Sequence, residues 1–314
     1  MAKYRANLPQ LNGSPFLTDG GLETTMLFLE GLELPYFAAF NLLNEELARN
    51  KINEYFHDYC QLANKYKVGF ILEAVTWRAS MDWASKLGYS QDNLIEILNQ
   101  SIDMFEPFRQ QYENEDTKIV FSGCIGPRGD GYTPDAMMSA EEAEDYHSLQ
   151  IEAFSQTQAD MITALTLNYI NEAIGITRAA RANNIPVVIS FTVETDGKLP
   201  TGDSLKQAID EVEQATEGAP SYYKINCAHP SHFEHIVSAN EPWLQKIRSL
   251  RANASRLSHA ELDEAEELDA GNPVELGRQY RELMSKLPNL NVLGGCCGTD
   301  HRHIEQICKA CFKQ

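Results

Sequence analysis

Cys296 and Cys297 stand side by side in the run Gly294-Gly295-Cys296-Cys297-Gly298-Thr299-Asp300. Adjacent cysteines are badly placed to close a disulfide on each other and well placed to offer two thiolates to one soft metal ion. The flanking glycines let the backbone bend closely around such an ion. A third cysteine lies far upstream in Asn226-Cys227-Ala228-His229-Pro230. If the fold carries Cys227 to the pair, three thiolates face one ion and a fourth position stays open. That is the pattern of a catalytic zinc, since structural sites usually fill all four positions. Zinc is therefore the expected cofactor, held by Cys227, Cys296 and Cys297, with no catalytic residue expected beyond that centre.

The competing reading of any cysteine is a small buried hydrophobe. It suits Cys60, inside a helical pattern, and Cys308 and Cys311, a C-x-x-C inside the last helix for which a redox pair is the alternative. Cys124 falls at a strand end, where a peripheral role stays open. His229 and His232 offer ring nitrogens beside Pro230, but capping or surface roles suit them equally. His57, His301 and His303 read as helix or surface residues.

These residues need elements to position them. Short apolar runs at 16–19, 68–73, 118–122, 161–166, 186–191, 222–226, 247–251 and 291–293 read as strands. Longer segments with helical spacing lie between them, at 45–65, 92–111, 140–157, 172–183, 205–215 and 274–287. Eight strands alternating with helices predict an α/β fold, a (β/α)8 TIM barrel in a single domain over residues 1–314. A dinucleotide-binding sheet would want G-x-G-x-x-G after the first strand, where this chain has Asp19-Gly20-Gly21-Leu22-Glu23. No phosphate-binding P-loop pattern occurs either. In such barrels the chemistry sits where strands end. Cys227 follows strand six, and Cys296 and Cys297 follow strand eight, so all three are expected at one mouth. The polar stretch 255–272, rich in acids, reads as a solvated helix or loop inserted after strand seven.

The bulk numbers remove several classes of function. The formal net charge of −19 argues against a nucleic-acid partner, which needs clustered Lys and Arg. No apolar run approaches the ~20 residues of a membrane span. The first residues lack the apolar core of a signal peptide. Seven dispersed cysteines read as thiols of a reducing compartment, so a cytoplasmic location is expected.

Five segments carry a resemblance: Thr18-Asp19-Gly20-Gly21-Leu22-Glu23-Thr24, Ser122-Gly123-Cys124-Ile125-Gly126-Pro127, Ser190-Phe191-Thr192, Asn226-Cys227 and the cysteine run at 294–300. Together they resemble the homocysteine S-methyltransferase family, which includes betaine–homocysteine methyltransferase and the homocysteine module of methionine synthase. The resemblance spans almost the whole chain, and the cysteine run with its upstream Asn-Cys is the most specific part. It implies a barrel that binds zinc through Cys227, Cys296 and Cys297. It also implies a small thiol acceptor, normally homocysteine, methylated to methionine, which places the chain in methionine biosynthesis.

The chemistry of the residues fits that implication. A free thiol with a pKa of about 8.5 is a poor nucleophile while protonated. Coordination to zinc removes the proton. Three protein thiolates keep the metal electron-rich, so the bound sulfur stays nucleophilic towards a methyl group on a positively charged donor. S-methylmethionine, S-adenosylmethionine or a betaine would serve.

By resemblance, Asp19, Gly20 and Gly21 help hold the amino-acid part of the acceptor, although a tight turn explains the glycines equally well. One position departs from the family. A Glu-Thr pair usually follows strand four, and that Glu contacts the substrate ammonium; here the stretch Ala164-Leu165-Thr166 puts Leu165 in its place. A leucine cannot pair with an ammonium, and an unpaired buried charge is costly. Either another acid compensates, with Glu73 and Glu194 the candidates, or the acceptor is a different small thiol or selenol. Trp77 and Trp83 either face a cationic donor through their π faces or pack within their loop. The expected partners are thus a small-molecule thiol and a methyl donor. A homo-oligomer, a separate methyl-donor protein and a non-catalytic zinc- or thiol-binding subunit stay open.

Overall fold

The computed structural model describes residues 2–135, 137–237 and 241–312. Eight parallel strands close into a barrel in chain order: β1 Phe16–Leu17, β2 Gly69–Glu73, β3 Ile119–Ile125, β4 Met161–Leu167, β5 Val187–Phe191, β6 Tyr222–Asn226, β7 Ile247–Ala252 and β8 Val292–Gly295. The register closes where Phe16 of β1 pairs with both Gly69 and Val292. The expected barrel and all eight strand positions are present. Runs such as Ile119-Val120-Phe121 and Val187-Val188-Ile189 are apolar on both faces because each strand is buried by the interior on one side and by helices on the other.

The interior is layered. Near the N-terminal ends of the strands, Phe16, Ile71, Val120, Met161, Val188, Tyr222 and Val292 join Leu8 in an apolar cluster separate from the helix–strand core. Two residues further along, on the same face of each strand, the layer turns polar: Glu73, Ser122, Thr163, Ser190 and Lys224, all buried. The functional end is therefore built on a polar floor above an apolar plug.

Strand β4 carries an irregularity that shapes the mouth. Ala164 pairs with Ile189 and Leu167 with Phe191, so β4 holds one residue more than β5 over that stretch. Thr166 takes a left-handed backbone, φ 61°. Such a bulge re-aims side chains, and the neighbours Leu165 and Thr166 both line the same pocket.

The outer helices follow the predicted spacing with two differences. The predicted helix at 92–111 is two helices, Gln91–Asp103 and Glu106–Tyr112, with Pro107 in the first turn of the second. A proline tolerates that position but not a helix interior, so it marks a new start. Within 255–272, the acids at 261, 263, 264, 266, 267 and 269 are exposed as expected, on and after a short helix, His259–Asp263, capped by Ser258 and Glu261. His259 itself is buried. In the last helix, His301–Cys311, the buried residues Ile304, Ile307, Cys308 and Cys311 form one face. Cys308 and Cys311 are thus packing residues. His303 is buried rather than on the surface, between Asp300 and the Ala270 carbonyl. Among the described residues no helix is long and apolar enough to cross a membrane.

Candidate metal centre and substrate pocket

The ends of β6 and β8 bring three cysteines together. The Sγ atoms of Cys227, Cys296 and Cys297 all lie within 4.8 Å of one another. Cys227 adopts φ 54°, a conformation that costs a non-glycine residue about 1–2 kcal/mol. Its backbone is fixed in that state by four contacts. The amide donates to the Arg251 carbonyl at 3.1 Å, and the carbonyl accepts from Asn253 Nδ2 at 3.0 Å, His259 Nε2 at 2.6 Å and Thr192 Oγ1 at 3.5 Å. The Cys296–Thr299 turn is held against the β1 loop, where the Gly21 amide donates to the Thr299 carbonyl at 2.9 Å. A Cβ on Gly21 would lie 2.6 Å from the Cys296 carbonyl oxygen, and one on Gly20 would lie 2.8 Å from that of Thr299. Gly20 and Gly21 thus let the first loop close on the cysteine turn.

Cys227 and Cys296 are joined by a disulfide, with Cα atoms 5.4 Å apart, and Cys297 is free. The strand ends bring these two sulfurs within bonding reach of each other. The reduced trio fits a tetrahedral zinc. Sulfurs bound at ~2.3 Å in that geometry stand about 3.8 Å apart. Each sulfur also faces a polar hydrogen: Thr166 Oγ1 lies 3.8 Å from Cys227 Sγ, Asn226 Nδ2 lies 4.0 Å from Cys296 Sγ, and Tyr132 Oη lies 4.0 Å from Cys297 Sγ. Such donors orient ligands and support thiolate charge. Burial pushes the Cys297 thiol up to about 11, and the nearby Glu23 carboxylate adds to that rise while Tyr132 and Arg251 oppose it.

Asn226 organises this shell. Its Oδ1 accepts from the Thr166 amide at 2.9 Å and from Ser190 Oγ at 2.5 Å, and its Nδ2 donates to Thr166 Oγ1 at 2.8 Å. It is fully buried and locks the bulged end of β4 to β5 and β6.

Beneath the cysteines runs a chain of buried ion pairs. Lys224 Nζ lies 2.7 Å from Glu73 Oε1, Arg251 contacts Glu73 Oε2, and Arg251 Nη1 lies 2.8 Å from Asp19 Oδ1. Arg251 also donates to the carbonyls of Gly20 at 2.6 Å and Gly295 at 2.7 Å, and Tyr55 Oη donates to Asp19 Oδ2 at 2.9 Å. Burial pushes the Glu73 carboxyl up, but Lys224 and Arg251 outweigh it and hold it down at about 2. For Asp19, burial prevails over Arg251 and raises the carboxyl above its ordinary range.

The pocket above this floor is lined by Asp19, Gly20, Gly21, Glu23, Glu73 and Arg251, by the three cysteines, and by apolar and aromatic walls. The predicted residues are therefore placed as follows. Cys227, Cys296, Cys297, Asp19, Gly20, Gly21 and Glu73 converge on one pocket, with both Glu73 oxygens already paired. Glu194 stands behind the pocket, 3.0 Å from His259 Nδ1, and reaches the Cys227 carbonyl through that ring. His229 caps the short helix Pro230–Phe233 and His232 contacts the Arg256 carbonyl, so neither joins the sulfurs. Trp77 lines the pocket and Trp83 packs in its loop; Arg78 lies between them, 4.4 Å and 4.3 Å from the two ring centres.

Sequence reasoning missed Glu23, Tyr132, Arg251 and His259 as site residues. Glu23 and Arg251 carried a usable signal, since both fall at or just past a strand end. Tyr132 and His259 carried none, because they come from loops. Their rings stack 3.9 Å apart over the centre, 19° from parallel. Burial pushes the Glu23 carboxyl up to about 7.

Comparison with known proteins agrees with this geometry. The family model described as homocysteine S-methyltransferase matches residues 16–311. Among solved structures, the homocysteine methyltransferase MmuM from Escherichia coli superposes in its oxidized form with a TM-score of 0.73 at 17% identity, covering 97% of this chain and 99% of that one. Its metallated form gives 0.70 at 17% identity, covering 95% and 97%. At that identity the likeness is one of fold. No curated protein matches the chain. A closed barrel with three cysteines at its mouth, matched by the family model over nearly its full length, makes this chain a methyltransferase of the homocysteine S-methyltransferase family.

Proposed function

We propose that the protein is a zinc-dependent S-methyltransferase that moves a methyl group from a cationic donor to a small thiol, with homocysteine as acceptor and methionine as product. The observation that carries this reading is the convergence of Cys227, Cys296 and Cys297 within 4.8 Å in a pocket. MmuM, which shares the fold, has a metallated form. Reduction of the Cys227–Cys296 disulfide frees all three ligands. Cys227, Cys296 and Cys297 would hold a zinc, which would supply the Lewis acidity for deprotonating an incoming thiol at neutral pH.

The protein's own groups do the rest. Thr166, Asn226 and Tyr132 hold one sulfur each in orientation. Asp19, Gly20 and Gly21 form the wall on which the amino-acid part of the acceptor rests. Glu73 acts one step back, since its charge fixes Arg251, and Arg251 fixes Asp19 and the Gly20 and Gly295 carbonyls. Glu194 acts likewise through His259 on Cys227. In the transfer a carbon–sulfur bond forms as the bond from that carbon to the positively charged donor atom breaks. The electron pair of the broken bond neutralises the donor, and no proton leaves the methyl group. Asp19, Glu23 and Glu73 line the pocket, with Arg251 and Lys224 paired to Asp19 and Glu73 and with Arg78 near Glu23. A wall of acids and aromatic rings suits a cationic donor better than an anionic one. Holding donor and acceptor in line supplies much of the rate.

The test is a matrix of acceptors and donors with reduced, zinc-loaded protein: homocysteine and other small thiols against sulfonium and quaternary ammonium donors. Methionine formed from homocysteine with at least one donor is the expected result. Turnover only with another thiol reassigns the acceptor. Thiol binding with no turnover on any donor makes the protein a binding subunit.

A further inference from the structure

Three carboxylates line the pocket, and two of them are already committed. Asp19 is held by Arg251 and Tyr55, and Glu73 by Lys224 and Arg251. Glu23, two residues past Gly21, makes no ion pair with any described residue. The nearby guanidinium of Arg78 is engaged elsewhere: it lies between Trp77 and Trp83, donates to the Gly129 carbonyl at 2.6 Å and sits 3.7 Å from Asp130. The end of β4 offers no charge, because Leu165 turns an apolar side chain into the same wall. Phe37, Trp77 and Tyr132 supply aromatic surface in the same pocket.

A half-buried carboxylate with no ion-pair partner among the described residues, in a pocket that aromatic rings also line, is complementary to an organic cation. The charge gains a charge-assisted partner, and the rings attract the cation's alkyl groups through their π faces. We propose that Glu23 is the specificity-determining contact for the positive charge of a bound ligand, either the ammonium of an amino-acid thiol or the methylated onium centre of the donor. This inference rests on the methyltransferase reading for its ligands and extends it to a residue outside the metal shell.

The test compares wild type with Glu23→Gln and Glu23→Asp, all reduced and zinc-loaded, by calorimetric titration and by KM. Two acceptors separate the sources of charge: homocysteine, and 4-mercaptobutyrate, which has the same thiol and carboxylate but no ammonium. A sulfonium and a quaternary ammonium compound probe the donor side. Loss of one charge-assisted contact weakens binding by about tenfold or more. Glu23→Gln should do this to a cationic ligand, and Glu23→Asp should lose less. A loss on homocysteine with 4-mercaptobutyrate unchanged assigns Glu23 to the acceptor ammonium. A loss on the onium donor with both thiols unchanged assigns it to the donor. The proposal is overturned if Glu23→Gln leaves every cationic ligand unaffected, or weakens 4-mercaptobutyrate as much as homocysteine. Wild type that binds these ligands without turnover sinks the methyltransferase reading and leaves the binding comparison intact.

Discussion

Arg251→Met removes the centre of the buried ionic chain at nearly constant side-chain length. Arg251 is about 5% exposed and touches Asp19, Glu73, the Gly20 carbonyl and the Gly295 carbonyl. Deleting one partner of a buried ion pair costs about 3–5 kcal/mol, because the other charge is left in a dry site. Glu73 keeps Lys224, so the orphaned group is Asp19. Burial already raises the Asp19 carboxyl, so it can take up a proton and relieve part of the cost. The two abandoned carbonyls add roughly 1–3 kcal/mol each unless water reaches them. With water reaching both carbonyls, the net loss is about 3–5 kcal/mol at most, and less as Asp19 takes up its proton. Urea unfolding followed by circular dichroism, under reducing conditions and at fixed zinc, reads that loss. Asp19→Asn in the Arg251→Met background should recover about 1–2 kcal/mol relative to the sum of the single variants. Gly295 precedes Cys296, so zinc affinity should fall as well. A loss below about 1 kcal/mol with zinc affinity unchanged would refute the reasoning that this ion-pair chain supports the centre.

Asn226→Ala leaves all three cysteines in place but removes the contacts to Thr166, Ser190 and Cys296, so zinc affinity measured by chelator competition should drop about 10–100-fold. Acid should weaken the metal-free fold through Glu73. Its carboxyl is held at about 2 against an ordinary 4.5, so its contribution, about 3 kcal/mol, is present above pH 4.5 and is lost as pH falls towards 2. The stability gap between wild type and Glu73→Gln should shrink across that window in urea midpoints taken at successive pH values. Asp19, whose carboxyl is raised, works in the opposite sense over its own range and opposes part of the wild-type acid loss.

The barrel was legible because each strand is a short apolar run followed by a helical spacing, and the sulfur centre because vicinal cysteines and Cys227 each follow a strand directly. What escaped was set by tertiary placement. The one-residue bulge of β4 leaves no mark in Ala164-Leu165-Thr166, yet it turns both Leu165 and Thr166 to the pocket. Glu73 looked like a free acid, but the residues that saturate it, Lys224 and Arg251, are more than a hundred positions away. His259 was hidden in a stretch whose acids are solvated, and only the folded loop lays its ring on Tyr132 and against the Cys227 carbonyl. The pairing of Cys227 with Cys296 likewise depends on two strand ends meeting.

The central claim is that Cys227, Cys296 and Cys297 bind one zinc and leave one position for the acceptor's sulfur. Zinc-edge X-ray absorption on reduced, zinc-loaded protein counts those sulfurs directly. The account predicts about three sulfurs at ~2.3 Å in the resting protein and about four once homocysteine is added. Cys297→Ala should lose most of the metal. A centre of nitrogen and oxygen ligands, a sulfur count that homocysteine does not change, or full zinc retention by Cys297→Ala would contradict it.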